Sequence, residues 1–340
     1  MFYKQILFSC ILIGLILSDW TGASQLTLSN YDGRFFDIKI PSGWQIYTAG
    51  QCSEFAFIVQ DESNSLNQIF FYGSIGPVYM NPQQKQIDRN YMNMGGYSVN
   101  WLEMPVIDPL TPENFMSNFE NIATTKLAQR FLPQTPALKN FSIITVTQKV
   151  PLISGGKTAL MRALFTKDGK VGEGLFLCTV APFMPYTGSP GAGNAYGFLV
   201  TGITAPHEYF ARSLPILEKS ISSFTINRNY ANNCIRSSQG QFQQVIQVGQ
   251  SLRETADMII TGWENRNQRS DIIAEKRSDA ILDYERVYDP ATNQTYQVNP
   301  EFWEKYKLNR RRYKMNNLQL IPNDNYDLWN QAPQNQKQIR

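Results

Sequence analysis

The chain has one histidine, His207, and four cysteines among 340 residues. A single imidazole excludes His-rich metal sites and any mechanism that needs two imidazoles. No Gly-x-Ser-x-Gly elbow and no Walker loop occurs, so hydrolases and nucleotide-binding enzymes built on those motifs are excluded. Charge is sparse, at 17% of residues, with a net charge of +3. A balance that mild gives no concentrated basic face for nucleic acid. No cofactor motif is present. Long apolar runs are missing too, except at the amino terminus.

That exception is Ile6 to Leu17, an apolar run preceded by Lys4 and followed by the small residues Thr21-Gly-Ala-Ser24. It is too short to span a bilayer comfortably and has the layout of a secretory signal. Residues 1–24 are therefore expected to be a cleavable leader, cut near Ala23 or Ser24. The mature chain is expected to be secreted or periplasmic, with no transmembrane span. Export brings the remaining cysteines, Cys52, Cys178 and Cys234, into an oxidising compartment, where one disulfide is expected. Spacing does not select the pair.

What the chain does have is aromatic content, at 13%, and an uneven distribution of charge. Residues 25–228 hold 29 charged residues in 204 positions, and residues 229–340 hold 28 in 112. The change falls at the polar stretch Asn227–Asn233. This predicts an α+β domain over 25–228, a helix-plus-hairpin segment over 229–330, and a disordered Gln/Asn-rich tail over 331–340. In the first part, alternating or apolar runs predict strands at 36–40, 44–47, 54–60, 68–73, 158–166, 170–181 and 196–203. Asp168-Gly169 predicts a tight hairpin. Helices are expected over 82–94, 112–131 and 206–224. In the second part, a stripe from Phe242 to Trp263 predicts a long helix over 241–263. A second helix is expected over 271–282, followed by a hairpin from Tyr284–Tyr288 and Thr295–Val298.

The start Phe36-Asp-Ile-Lys-Ile-Pro-Ser-Gly-Trp44 and the closing helix ending Ile221-Ser-Ser-Phe-Thr225 resemble the PsbP-like α/β/α sandwich family of small exported proteins. The resemblance implies an antiparallel sheet with flanking helices and a non-enzymatic binding or assembly role. It carries over no catalytic residue. Residues 82–133 look like an insertion relative to that family. Residues 229–340 lie outside it and look similar to carboxy-terminal regions of bacterial secreted proteins, through Glu275-Lys-Arg-Ser-Asp279 and Tyr284-Glu-Arg-Val-Tyr-Asp-Pro290.

Candidate chemistry concentrates in that second part. Asp271, Glu275 and Asp279 fall at i, i+4 and i+8, on one helix face. Three carboxylates in a row are candidate ligands for a hard cation such as calcium. Glu275, Asp279 and Glu285 are the candidate acid/base residues of an envelope hydrolase, in a cleft between the two parts. The simpler expectation is a solvated face paired with Lys276, Arg277 or Arg286. Trp263, Tyr284, Tyr288, Trp303 and Arg311 are candidate binding residues, since aromatic side chains and arginine dominate interface hot spots. The leading expectation is a non-catalytic binding or assembly protein with a protein or envelope partner. A scaffold subunit packing through the 241–263 helix is a further alternative. The glycine-rich Gly188–Gly197 reads as a surface loop, because a strand and not a helix follows it.

Overall fold

The structure is a computed structural model. It describes residues 27–33, 35–131, 136, 138–238, 268–331 and 333. The expected leader, the 241–263 helix with Trp263, and nearly all of the 331–340 tail lie outside these residues.

In chain order the strands and helices are β1 (Leu28–Asp32), β2 (Phe36–Pro41), β3 (Gln45–Ala49), β4 (Ala56–Asp61), β5 (Asn64–Tyr79), α1 (Pro82–Asn93), α2 (Pro112–Ser117), α3 (Phe119–Ala123) and α4 (Lys126–Phe131). They continue with β6 (Lys139–Lys149), β7 (Lys157–Lys167), β8 (Lys170–Met184), β9 (Asn194–Pro206), α5 (His207–Ile221), β10 (Thr225–Ile226) and α6 (Arg228–Ser238). The last part holds α7 (Gln268–Ile281), β11 (Glu285–Asp289), β12 (Gln294–Val298), α8 (Pro300–Leu308), β13 (Gln319–Leu320) and α9 (Tyr326–Trp329).

The fold is α+β, an antiparallel sheet with flanking helices. Seven strands run in the order β3-β4-β5-β9-β8-β7-β6. The β7–β8 hairpin turns at Asp168-Gly169, as the dipeptide predicts. Both residues have positive φ (52° and 74°), the twist a two-residue hairpin needs. One sheet face packs on α5 and on the small β1-β2-β10 sheet through Phe36, Phe57, Phe71, Leu214 and Phe224. The other packs on α2 and α3 through Phe70, Phe115, Phe119 and Phe176. Close approach on that side depends on bare backbone, because a Cβ on Gly197 would meet the Phe115 ring at 2.4 Å.

The helix expected over 112–131 is three short helices. Asn118 caps α2 and starts α3, and Thr124 ends α3, where their carbonyls are satisfied locally. Strand β5 runs well beyond the expected 68–73 and absorbs Gly73-Ser-Ile-Gly-Pro77. Strand β6 was not expected, since its half-exposed face blurs the alternation. The glycine-rich loop is anchored to α1: Gln84 Nε2 donates to the Ser189 carbonyl (2.9 Å), and Gly191 N–H donates to the buried Asp88 (2.8 Å).

After α6 and residues 239–267, helix α7 returns to the α5 side of the sheet. Ala274 packs on Ile144 and Leu164, and Arg277 donates to the Ile144 carbonyl of β6. The hairpin β11–β12 gains a third strand, β13, and wraps Val287, Tyr296, Val298, Trp303 and Tyr306 into a small core of its own.

Cys52 and Cys234 form a disulfide across 182 residues, and Cys178 is a buried free thiol in β8. Burial, then the nearby Glu113 charge, pushes that thiol up. Thiol titration of the denatured, unreduced protein without residues 1–24 is expected to find Cys178 alone; a Cys178→Ser variant should titrate none. Because the closed loop is long, reduction should cost about 2–5 kcal/mol of stability in a denaturant titration.

Candidate functional site

Two charged residues stand inside apolar strands, Arg162 in β7 and Glu173 in β8. Both are buried. A buried charge costs several kcal/mol unless it is paired, so each must have partners. Arg162 Nε bonds Glu173 directly. Its Nη2 reaches across 113 residues to Glu275 Oε1 of α7 at 2.5 Å. The other Glu275 oxygen lies 2.7 Å from Arg286 Nη2 on β11. Arg286 then grips Asp279, one turn along α7, with two bonds of 2.9 and 3.0 Å. Its remaining Nη1 donates to the Trp329 carbonyl at 2.8 Å.

The circuit closes through two more residues. Gln297 sits opposite Arg286 in the β11–β12 register. Its Nε2 donates to Asp279 Oδ1 (2.9 Å) and faces His207 Nε2 (3.2 Å). His207, the first residue of α5, bonds Glu173 Oε2 through Nδ1 at 2.7 Å. Asp279 only accepts here, so it holds the amide nitrogen, not the oxygen, of Gln297 toward it. His207 Nε2 therefore accepts from Gln297, and Nδ1–H donates to Glu173. Seven residues from four strands and two helices form one closed ring between the sandwich and the carboxy-terminal unit.

The ring sets its own ionisation. Burial works to raise Glu173, but the Arg162 charge and the bonds from His207 and Arg162 outweigh it and bring its pKa to about 2. For Asp279 burial wins over the opposing Arg286, and its carboxyl sits above the usual range. Burial would lower both arginines, but the flanking carboxylates raise them.

Two clefts open on either side of Tyr284, which is 39% exposed. The larger, about 690 Å³, is lined by Lys276, Asp279, Glu285, Arg286 and Trp329 among others. Lys276 and Arg286 both lie over the Trp329 ring, at 5.3 and 5.6 Å. The smaller, about 490 Å³, has His207 and Gln297 in its lining together with Leu66, Lys170 and Tyr209.

The expected site residues divide accordingly. Glu275 and Asp279 are not on a solvated face. They are 4% exposed and face arginines on two other elements. Asp271 stands apart from them and receives a bond from Tyr326 at 3.2 Å. Among the described residues no group of three or more His, Cys, Asp or Glu is arranged to hold a metal ion. Glu285 is half-buried in the lining of the larger cleft. Tyr288 packs beside Ile272 and Trp329. Trp303 is buried against Tyr306, with ring centroids 5.3 Å apart. Arg311 is exposed in a short 3-10 turn. Arg162, Glu173, His207 and Gln297 were not foreseen as partners of the α7 carboxylates. Their one signal was a charge inside each of two apolar strands.

No family model and no curated protein matches the chain. Solved structures are similar at low identity. Cyanobacterial PsbP (CyanoP) from Synechocystis sp. is 12% identical, with 62% of this chain and 99% of that one covered, at a TM-score of 0.27. LpqN, involved in cell envelope biogenesis of Mycobacterium tuberculosis, is 10% identical, with 60% and 92% covered and a TM-score of 0.23. A protein from Bacteroides thetaiotaomicron is 10% identical and covers 81% of this chain and 83% of its own, at a TM-score of 0.23. With TM-scores this low, the likeness assigns this chain neither a family nor a function. Among the described residues no helix is long and apolar enough to cross a membrane.

Two outcomes are expected of the ring. Arg162→Met leaves Glu173 and Glu275 short of a buried partner and should cost about 3–5 kcal/mol in a denaturant titration. Glu173 is depressed in the folded state, so its contribution is present above its ordinary value of 4.5 and lost as pH falls toward about 2. The stability gap between wild type and Glu173→Gln should therefore shrink across that window, while a gap constant with pH would contradict the pairing.

Proposed function

We propose that the protein is an exported, non-catalytic binding or assembly module of the cell envelope. One observation carries this reading: Glu275 and Asp279, two of the three carboxylates a hydrolase would draw on, are held by partners in the buried ring. General acid/base work needs a carboxyl free to exchange a proton with substrate. Asp279 instead meets Arg286 through both oxygens and Gln297 through one. What remains accessible is a mixed aromatic and charged surface around the larger cleft, with Lys276, Tyr284 and Glu285 exposed or half-exposed. Such a surface suits a protein partner better than a reaction.

Export is supported by the amino-terminal pattern of Lys4, Ile6–Leu17 and Thr21–Ser24. The Cys52–Cys234 disulfide supports it independently, since such bonds persist in oxidising compartments. The Phe36–Trp44 resemblance to PsbP-like proteins supports a binding role.

The hydrolase reading keeps one point in its favour, the raised Asp279 carboxyl in the same cleft as Glu285. It predicts that Glu285→Gln abolishes an envelope hydrolase activity. The binding reading predicts a discrete cross-linked adduct in the native envelope when a photoreactive phenylalanine replaces Glu285. The same probe at Met94, exposed at the end of α1, serves as control. Equal, diffuse labelling from both positions would count against a partner at this cleft.

A further inference from the structure

The smaller cleft has a different character from the larger one. Its polar lining is set by the ring. Gln297 is 9% exposed, and both N–H groups of its amide are committed, one to Asp279 and one to His207. Its Oε1 accepts from no described residue, yet the side chain lines the cleft. An acceptor whose amide partner is clamped twice cannot rotate away, so it is a fixed, preorganised acceptor. Asn64 supplies the complement. Its Oδ1 accepts from Leu66 N at 3.2 Å, which directs Nδ2 as the group left to donate. Two tyrosines stand in the same lining, Tyr209 at 53% exposure and Tyr284 at 39%. Leu66, Val171, Pro206 and Leu282 fill the remaining lining with apolar surface, and the exposed Lys170 and Glu208 offset each other.

An occupant has to match aromatic faces, one fixed acceptor, one donor and no net charge. A neutral sugar ring does so. Its C–H face lies against an aromatic ring, and each hydroxyl both donates and accepts. A volume of about 490 Å³ is within the range of small-molecule sites. An anion would find one lysine balanced by one glutamate, and the ring arginines are already paired.

We propose that this cleft binds a neutral saccharide. Tyr209 and Tyr284 stack on the sugar, Gln297 Oε1 accepts from a hydroxyl, and Asn64 Nδ2 donates to a sugar oxygen. Asp279 and His207 act as positioning residues that hold the Gln297 amide. The site goes beyond the envelope-binding reading and shares Tyr284 alone with the Glu285 cleft, so Tyr209→Ala tests it without touching that cleft. A protein partner there and a saccharide here are therefore decided by separate experiments.

Titration calorimetry of the mature chain against neutral tetrasaccharides of N-acetylglucosamine, α-1,4-glucose and α-mannose tests it. Saturable binding of at least one is expected, in the micromolar to low-millimolar range at about −4 to −8 kcal/mol. Tyr209→Ala and Tyr284→Ala should each weaken it about fivefold or more, since a lost aromatic contact is worth about 1 kcal/mol or above. Tyr284→Phe keeps the stacking face and should bind within about twofold of wild type. Tyr209 is 53% and Tyr284 39% exposed, and neither belongs to a core cluster, so these variants should retain the wild-type unfolding midpoint. Absence of binding by all three probes at about 10 mM, a level that would reveal even millimolar affinity, would overturn the proposal. So would binding unchanged by both alanine variants, or binding confined to an anionic probe such as tetragalacturonate.

Discussion

The architecture depends on charge compensation among buried side chains. Arg162 and Glu173 point from the sheet into the space where α7 docks, and neither side of that joint is tolerable alone. An undocked carboxy-terminal unit would leave Arg162 with one carboxylate instead of two, and would return Glu275 and Asp279 to water with Arg286. Docking trades that hydration for fixed partners. Buried pairs of this kind add little net stability over an apolar joint, but they are severe on misalignment. A slip of one helical turn in α7 would place Glu275 where Asp279 belongs and break four contacts together. The ring thus acts on register: it selects one docking geometry among several that the apolar contact of Ala274 with Ile144 and Leu164 would allow.

Function follows from what the ring consumes and what it leaves. The ring of ionisable side chains has its donors and acceptors turned inward. The two clefts flanking Tyr284 inherit rigid walls from it. One presents charge and tryptophan, the other tyrosine and amide. A binding protein gains from such walls because little side-chain freedom remains to be lost when an occupant arrives.

Much of the fold was legible in the chain. Asp168-Gly169 marked its hairpin, the apolar spacing of Phe210, Leu214, Leu217 and Ile221 marked α5, and Tyr284–Val298 marked the β11–β12 hairpin. These are local signals, carried by residues a few positions apart. The α7 carboxylates were visible too, at the right helical spacing. Their burial was not, because it depends on Arg162, more than a hundred residues away, and no local pattern encodes that distance. The break of 112–131 into three helices escaped for a related reason. Asn118 and Thr124 cost little as helix interior residues, and only the packing of Phe115, Phe119 and Ile122 on the sheet decides that the chain turns there.

The Cys52–Cys234 bond bears on this joint from a distance. It fixes α6, at Cys234 within the helix, to the short turn before β4 at Cys52. Docking of α7 is intramolecular by backbone connectivity alone, and the bond adds a fixed point on the sandwich near which that connection begins. A joint so tethered can afford weak intrinsic affinity and still stay closed. The chain connection and the ring thus divide the task, the first supplying proximity and the second supplying orientation.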